Sequence, residues 1–140
     1  MFKNYLAACV LATLSLSFQA TSNANEEVGR EVFIASPQDG ATIKGPVTVQ
    51  FGIKGMELAP AGTDIPNTGH HHLLIDVDKL PEMDKPIPAD DHFKHFGKAQ
   101  TQATLELPQG KHTLQLLLGD GKHVPHQHAL MSKKITITVE

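Results

Sequence analysis

At 140 residues the chain has room for one ordinary domain and none for a second core. Its 15 Asp and Glu against 12 Lys and Arg, a net charge of −3, exclude a basic nucleic-acid binder. Apolar content of 40% with 19% charged residues excludes a disordered chain.

In chain order, Lys3 supplies a positive start, and Leu6 to Phe18 is an apolar and small-residue run too short to cross a bilayer as a helix. Ser22-Asn23-Ala24 then puts small residues three and one positions before a cut. Residues 1–24 therefore read as a cleaved signal peptide, with a mature chain beginning at Asn25 and a flexible stretch over 25–30. Leu6-Ala7-Ala8-Cys9 also matches a lipoprotein box, but almost no apolar segment precedes the cysteine, and the apolar run continues past it. With Cys9 removed, the exported chain has neither a disulfide nor a thiolate ligand.

The mature region alternates as strands do. Residues 31–35 form a short β-rich run that stops at Ser36-Pro37, and Pro37-Gln38-Asp39-Gly40 is a turn. In residues 47–53, Val47, Val49, Phe51 and Ile53 share one face with period two. Residues 54–68, broken by Pro60 and Pro66, read as a long loop before a strand over 70–77. A proline-interrupted connection fills 78–99. Strands over 101–107 and 111–118 flank the turn Pro108-Gln109-Gly110 as a hairpin, residues 119–131 form a Gly- and His-rich loop, and 134–139 close the chain as a β-branched strand. The domain over 31–140 is accordingly all-β, an immunoglobulin-like antiparallel β-sandwich of about six or seven strands, with a small barrel as the alternative. Leu73, Ile75, Val77, Leu114, Leu116 and Leu118 are its expected core.

Histidine is the compositional outlier, and all nine lie in the mature region. Strand parity puts His71 with Leu73 and Ile75 on the apolar face and turns His70 and His72 the other way. In sandwich connectivity the loops that end at His70, His71 and His72, that carry His92 and His95, and that hold His123, His126 and His128 share one end, with His112 at the opposite end. Imidazole is the ligand left for Zn²⁺ or Cu²⁺ when thiolates are absent. The expected metal ligands are His70, His71, His72, His95, His123 and His126, with His92, His112, His128 and Met131 as weaker candidates. A brace using the free N-terminal amine is excluded by an Asn at position 25. Asp90-Asp91 and the pair Asp76 and Asp78 read as solvated acids, and Met56 and Met83 as core fillers.

The segments Gly69-His70-His71-His72-Leu73-Leu74-Ile75-Asp76, His95-Phe96-Gly97, Gly110 to Asp120 and His123-Val124-Pro125-His126 resemble the bacterial secreted domain-of-unknown-function family 4399. The resemblance covers nearly the whole mature chain and implies export and the domain bounds; the family carries no established activity. His70, His71, His72, His95, His112, His123 and His126 fall on its motifs. Lys98-Ala99 and Gln127-His128-Ala129 stand where the family pattern has glycines and prolines, which sets His128 apart.

No nucleophile elbow, nucleotide loop or paired catalytic carboxylate is present, so the expectation is a non-enzymatic periplasmic or secreted protein. Two functions compete: a module that binds copper or zinc through clustered histidines, and a recognition module that engages a periplasmic protein or envelope polymer through its long loops. No segment after residue 24 is apolar for long enough to span a membrane as a helix.

Overall fold

The structure, a computed structural model, describes residues 29–140. The expected signal peptide and most of the 25–30 stretch lie outside the described residues. Among the described residues there are nine strands and no helix: β1 (Glu31–Ser36), β2 (Thr42–Ile43), β3 (Val47–Lys54), β4 (Glu57–Leu58), β5 (Thr68–Ile75), β6 (Phe93–His95), β7 (Gln102–Leu105), β8 (Gly110–Gly119) and β9 (Ile135–Val139). The strands beyond the expected count are β2, β4 and β6, each of two or three residues. Segments this short carry no periodic signal, and pairing with a longer neighbour creates them: β2 joins β9 and β4 joins β5, both in parallel.

Two sheets result. One has the order β1-β3-β7, and the other runs β2-β9-β8-β5-β4 with β6 paired to β5. In β3 the alternation is realised as buried Val47, Val49 and Phe51 against exposed Thr48 and Gln50. Their apolar face meets Leu73 and Ile75 of β5, Leu114, Leu116 and Leu118 of β8, and Ile135, Ile137 and Val139 of β9 in one core. Each such side chain removed from water contributes about 1.5–3 kcal/mol before the conformational entropy is charged against it.

Strands β5 and β8 are buried on both faces. Contrary to the expectation from length, which left no room for a second core, their other face carries a smaller one within the same domain, of Leu74, Val77, Ile87 and Leu117, joined by Met83, Phe93 and Met131 from the long connections. Val77 is thus buried as expected but packs on this side of the sheet, away from Leu73 and Ile75. The reason is local: β5 ends at Ile75, and Asp76 adopts a left-handed φ of 55°, which breaks the period-two alternation.

The connection after β8 returns against it. Backbone bonds run from Leu118 N to Leu130 O and from Ser132 N to Leu116 O. The buried Gln115 Nε2 donates to Ser132 O at 2.9 Å, and Leu116 N donates to Ser132 Oγ at 2.8 Å. These bonds satisfy polar groups that burial would otherwise strand.

Candidate metal centre

Antiparallel pairing sets His70 of β5 opposite Gly119 and His72 opposite Leu117 of β8, while β6 pairs on the other edge with His95 opposite His72. Alternation along β5 turns His70 and His72 to the face that bears Leu74, outside the main core. The histidine triplet does not sit at a loop end as strand boundaries from the sequence implied. It lies inside a central strand, and all three residues are 0% exposed.

Four imidazoles assemble on this outer face. Ring centroids are 4.8 Å apart for His70 and His72, 5.0 Å for His70 and His95, 5.1 Å for His72 and His95, 5.0 Å for His70 and His123, 6.0 Å for His72 and His123, and 4.7 Å for His95 and His123. One ring nitrogen from each of His70, His72 and His95 lies within 4.8 Å of the others, a group of a kind that could hold a metal ion. Both ring nitrogens of His70 and both of His72 are buried without a hydrogen-bond partner. A buried polar group left unpaired costs about 1–3 kcal/mol.

Burial, reinforced by the neighbouring rings of His95 and His123, holds His70 down to about 4. Burial and the fields of His70, His95 and His123 push His72 down to about 3. His95 is lowered by desolvation and by His123. At neutral pH His70, His72 and His95 are uncharged, so each offers a lone pair to a cation without first releasing a proton.

The backbone around these rings leaves space that a side chain would fill. A Cβ at Gly119 would lie 2.7 Å from His72 Cε1, and one at Gly97 would lie 2.3 Å from His95 Cε1. The loop that carries His123 is pinned by Asp120, whose Oδ1 accepts from the backbone N–H of Lys122 at 2.8 Å and of Val124 at 3.0 Å. His123 N donates to Asp120 O, and Ile87 N donates to His123 O, so the residue holds its left-handed φ of 66° between two elements. The sequence reading missed Gly97, Gly119 and Asp120 as positioning residues. Their signal was present in the motifs His-Phe-Gly and Leu-Gly-Asp, where each directly follows or neighbours a ligand candidate or its strand.

The remaining candidates are dispersed. His71 faces the main core with its ring 5.2 Å from that of Phe51, and burial lowers it to about 4; it therefore stands on the opposite side of β5 from the cluster. Alternation makes this unavoidable for the middle residue of a triplet in a strand. His126 lies beside the cluster rather than in it: its Nε2 is buried without a partner, and desolvation lowers its pKa against the opposing field of Asp120. The ring of His92 is engaged through Nδ1 with Ile75 O at 2.8 Å. His128 is exposed, and Met131 is spent on the second core.

His112 belongs to a different arrangement. Its Nδ1 lies 2.7 Å from Asp76 Oδ2 and its Nε2 2.8 Å from Pro108 O, so both nitrogens face acceptors, and the hydrogen bond to the Asp76 carboxylate raises its pKa. With both ring nitrogens turned to oxygen acceptors, neither is directed at a metal. Asp76 also accepts from Thr113 N at 2.8 Å, and the three residues clasp the end of β5 to the start of β8.

The family model described as Domain of unknown function (DUF4399) matches residues 49–140, and the chain belongs to that family. The match takes in every histidine of the cluster. No curated protein matches the chain. Among solved structures it is similar to the endo-beta-1,4-mannanase from Thermotoga petrophila, at 19% identity and a TM-score of 0.45 over 79% of this chain and 20% of that one. The chain spans about a fifth of that enzyme's length, and the likeness carries no argument about fold or activity. Among the described residues no helix is long and apolar enough to cross a membrane.

Proposed function

We propose that this protein is a periplasmic or secreted, non-catalytic module that binds a transition metal ion, zinc or copper, through His70, His72 and His95. The observation that carries the reading is the set of four buried, unpartnered ring nitrogens on His70 and His72 beside the exposed ring of His95. A folded protein rarely buries so many unsatisfied polar atoms in one place, and a borderline cation is the partner whose chemistry suits uncharged imidazoles. The exposed His95 gives the ion a way in from solvent. The order β1-β3-β7 facing β9-β8-β5 supports an immunoglobulin-like sandwich as the scaffold, with the metal on the outer face of its second sheet.

The test is calorimetric titration of Zn²⁺ and Cu²⁺ into the tag-free mature protein at neutral pH, repeated with His95→Ala, whose exposed position leaves the core intact. One ion per chain at micromolar affinity or tighter is expected, with clear weakening in the variant. Affinity no better than millimolar, or affinity indifferent to His95, overturns the metal reading in favour of a recognition module that engages a protein or envelope polymer.

A further inference from the structure

We infer that His123 closes the site as a fourth protein ligand, making a tetrahedral tetra-imidazole centre of the Zn²⁺ class with no position left for water. The inference rests on the metal reading above and goes beyond it in ligand number, geometry and metal class. Histidine nitrogen binds zinc at about 2.0–2.1 Å, and the ring centre lies about 1.1 Å behind that nitrogen, so tetrahedral angles place neighbouring ring centres about 5.1 Å apart. Five of the six separations among His70, His72, His95 and His123 fall between 4.7 and 5.1 Å, and the sixth is 6.0 Å.

A square-planar set, which Cu²⁺ favours, is distinguishable from these numbers. It needs four short separations of about 4.5 Å and two long diagonals of about 6.3 Å between disjoint pairs of rings. The pair His72 and His123 is long enough for one diagonal, but its complement, His70 and His95, is only 5.0 Å apart. The four rings therefore enclose a volume rather than ring a plane. The backbone of His123 is held at this distance by its two hydrogen bonds and by the Asp120 turn. Ring nitrogens of His70, His72 and His95 already lie within 4.8 Å of one another, and completing the site asks the His123 imidazole to turn a nitrogen toward them.

Closure bears on what the protein does with the ion. Zinc enzymes keep one coordination position for water or substrate, whereas four protein ligands hold the metal and exclude both. A centre of this kind stores, carries or buffers an ion, or uses it to tie β5, β6 and the loop after β8 together.

Cobalt(II) serves as the probe, because a tetrahedral Co²⁺ ion absorbs strongly in the visible while a six-coordinate one absorbs weakly. The tag-free mature protein is titrated with Co²⁺ and then with Zn²⁺, beside His123→Asn, chosen because asparagine tolerates a left-handed backbone and keeps the loop folded. We expect intense visible absorption at one equivalent, bleached stoichiometrically by Zn²⁺. The variant should still bind one ion but at least about tenfold more weakly, since loss of a ligand costs no less than the roughly 10–100-fold of outer-shell substitutions, and its visible band should shift and lose intensity as water takes the vacated position. Thermal melts of both metal-free proteins check the fold, and His123→Gly repeats the measurement if His123→Asn melts early. A variant with unchanged spectrum and affinity overturns closure and leaves a three-histidine site. Weak, six-coordinate absorption in the parent overturns the tetrahedral geometry. Absence of binding to both proteins refutes the metal reading itself.

Discussion

Acidifying the metal-free protein from pH 7 to pH 5 should remove much of its stability, because three histidines are buried neutral. His70 and His71 are held at about 4 and His72 at about 3, against 6.5 in the unfolded chain. A lowered histidine pKa means that the unfolded state binds more protons between the two values, so stability is fully present above pH 6.5 and is lost as pH falls toward the folded value. Integrated from pH 7 to 5, each such residue costs about 2 kcal/mol, or about 5–6 kcal/mol for the three if they act independently. Domains of this size are stable by only about 5–15 kcal/mol. The assay is urea unfolding in the presence of a chelator at the two pH values. With a slope of about 1–3 kcal/mol per molar urea, the midpoint should drop by roughly 2 M or more. Midpoints that agree within about 0.5 M would show that the triplet is solvated or hydrogen-bonded in solution, and the orphaned-nitrogen argument for a metal would fall with it.

Other expectations are more local. At a hundredfold excess over its dissociation constant, Zn²⁺ should raise the unfolding free energy at pH 7 by about 2.7 kcal/mol, read in the same urea titration without chelator. Gly119→Ala should weaken metal affinity by calorimetry more than it lowers the melting temperature, because the new methyl would sit 2.7 Å from His72 Cε1 while the backbone needs no left-handed angle there. Leu116→Ala removes a side chain with no exposure from the main core and should cost about 2–5 kcal/mol in urea unfolding. Asp76→Asn should lower the titration midpoint of the His112 ring, followed by NMR. His112 has the opposite sign to the triplet: its raised pKa gives stability that is full below pH 6.5 and disappears as pH rises through the folded value, and the variant should lose that contribution.

Several determinants of this protein act over a few residues and were legible without coordinates. Alternation in Val47-Thr48-Val49-Gln50-Phe51 and in the segments around Leu73 and Leu114 marks strands with an apolar face, because side-chain direction reverses at every residue of an extended chain. The same parity separates His71 from His70 and His72, and no helical period shows outside the segment that reads as a signal peptide. What strand parity leaves open is the layer a face meets. A strand read as beginning at residue 70 puts His70 and His72 at a loop end, whereas β5 begins at Thr68 and its pairing with both β6 and β8 carries them to the middle of a sheet. Val77 changed sides because a single left-handed residue, Asp76, resets the alternation.

The meeting of His95 and His123 with His70 and His72 is expected from sandwich connectivity and follows from no local rule. His95 arrives through a three-residue strand that exists only by pairing with β5, and His123 through a loop fixed by Asp120 and by a backbone bond from Ile87. His112, matched by the same motifs, was drawn away to Asp76 and Pro108, and His92 to Ile75 O. Nine histidines in sequence determine that imidazole chemistry is available. Which four share a site depends on long-range pairings, since residue type and spacing do not record the distances that packing sets between segments far apart in the chain.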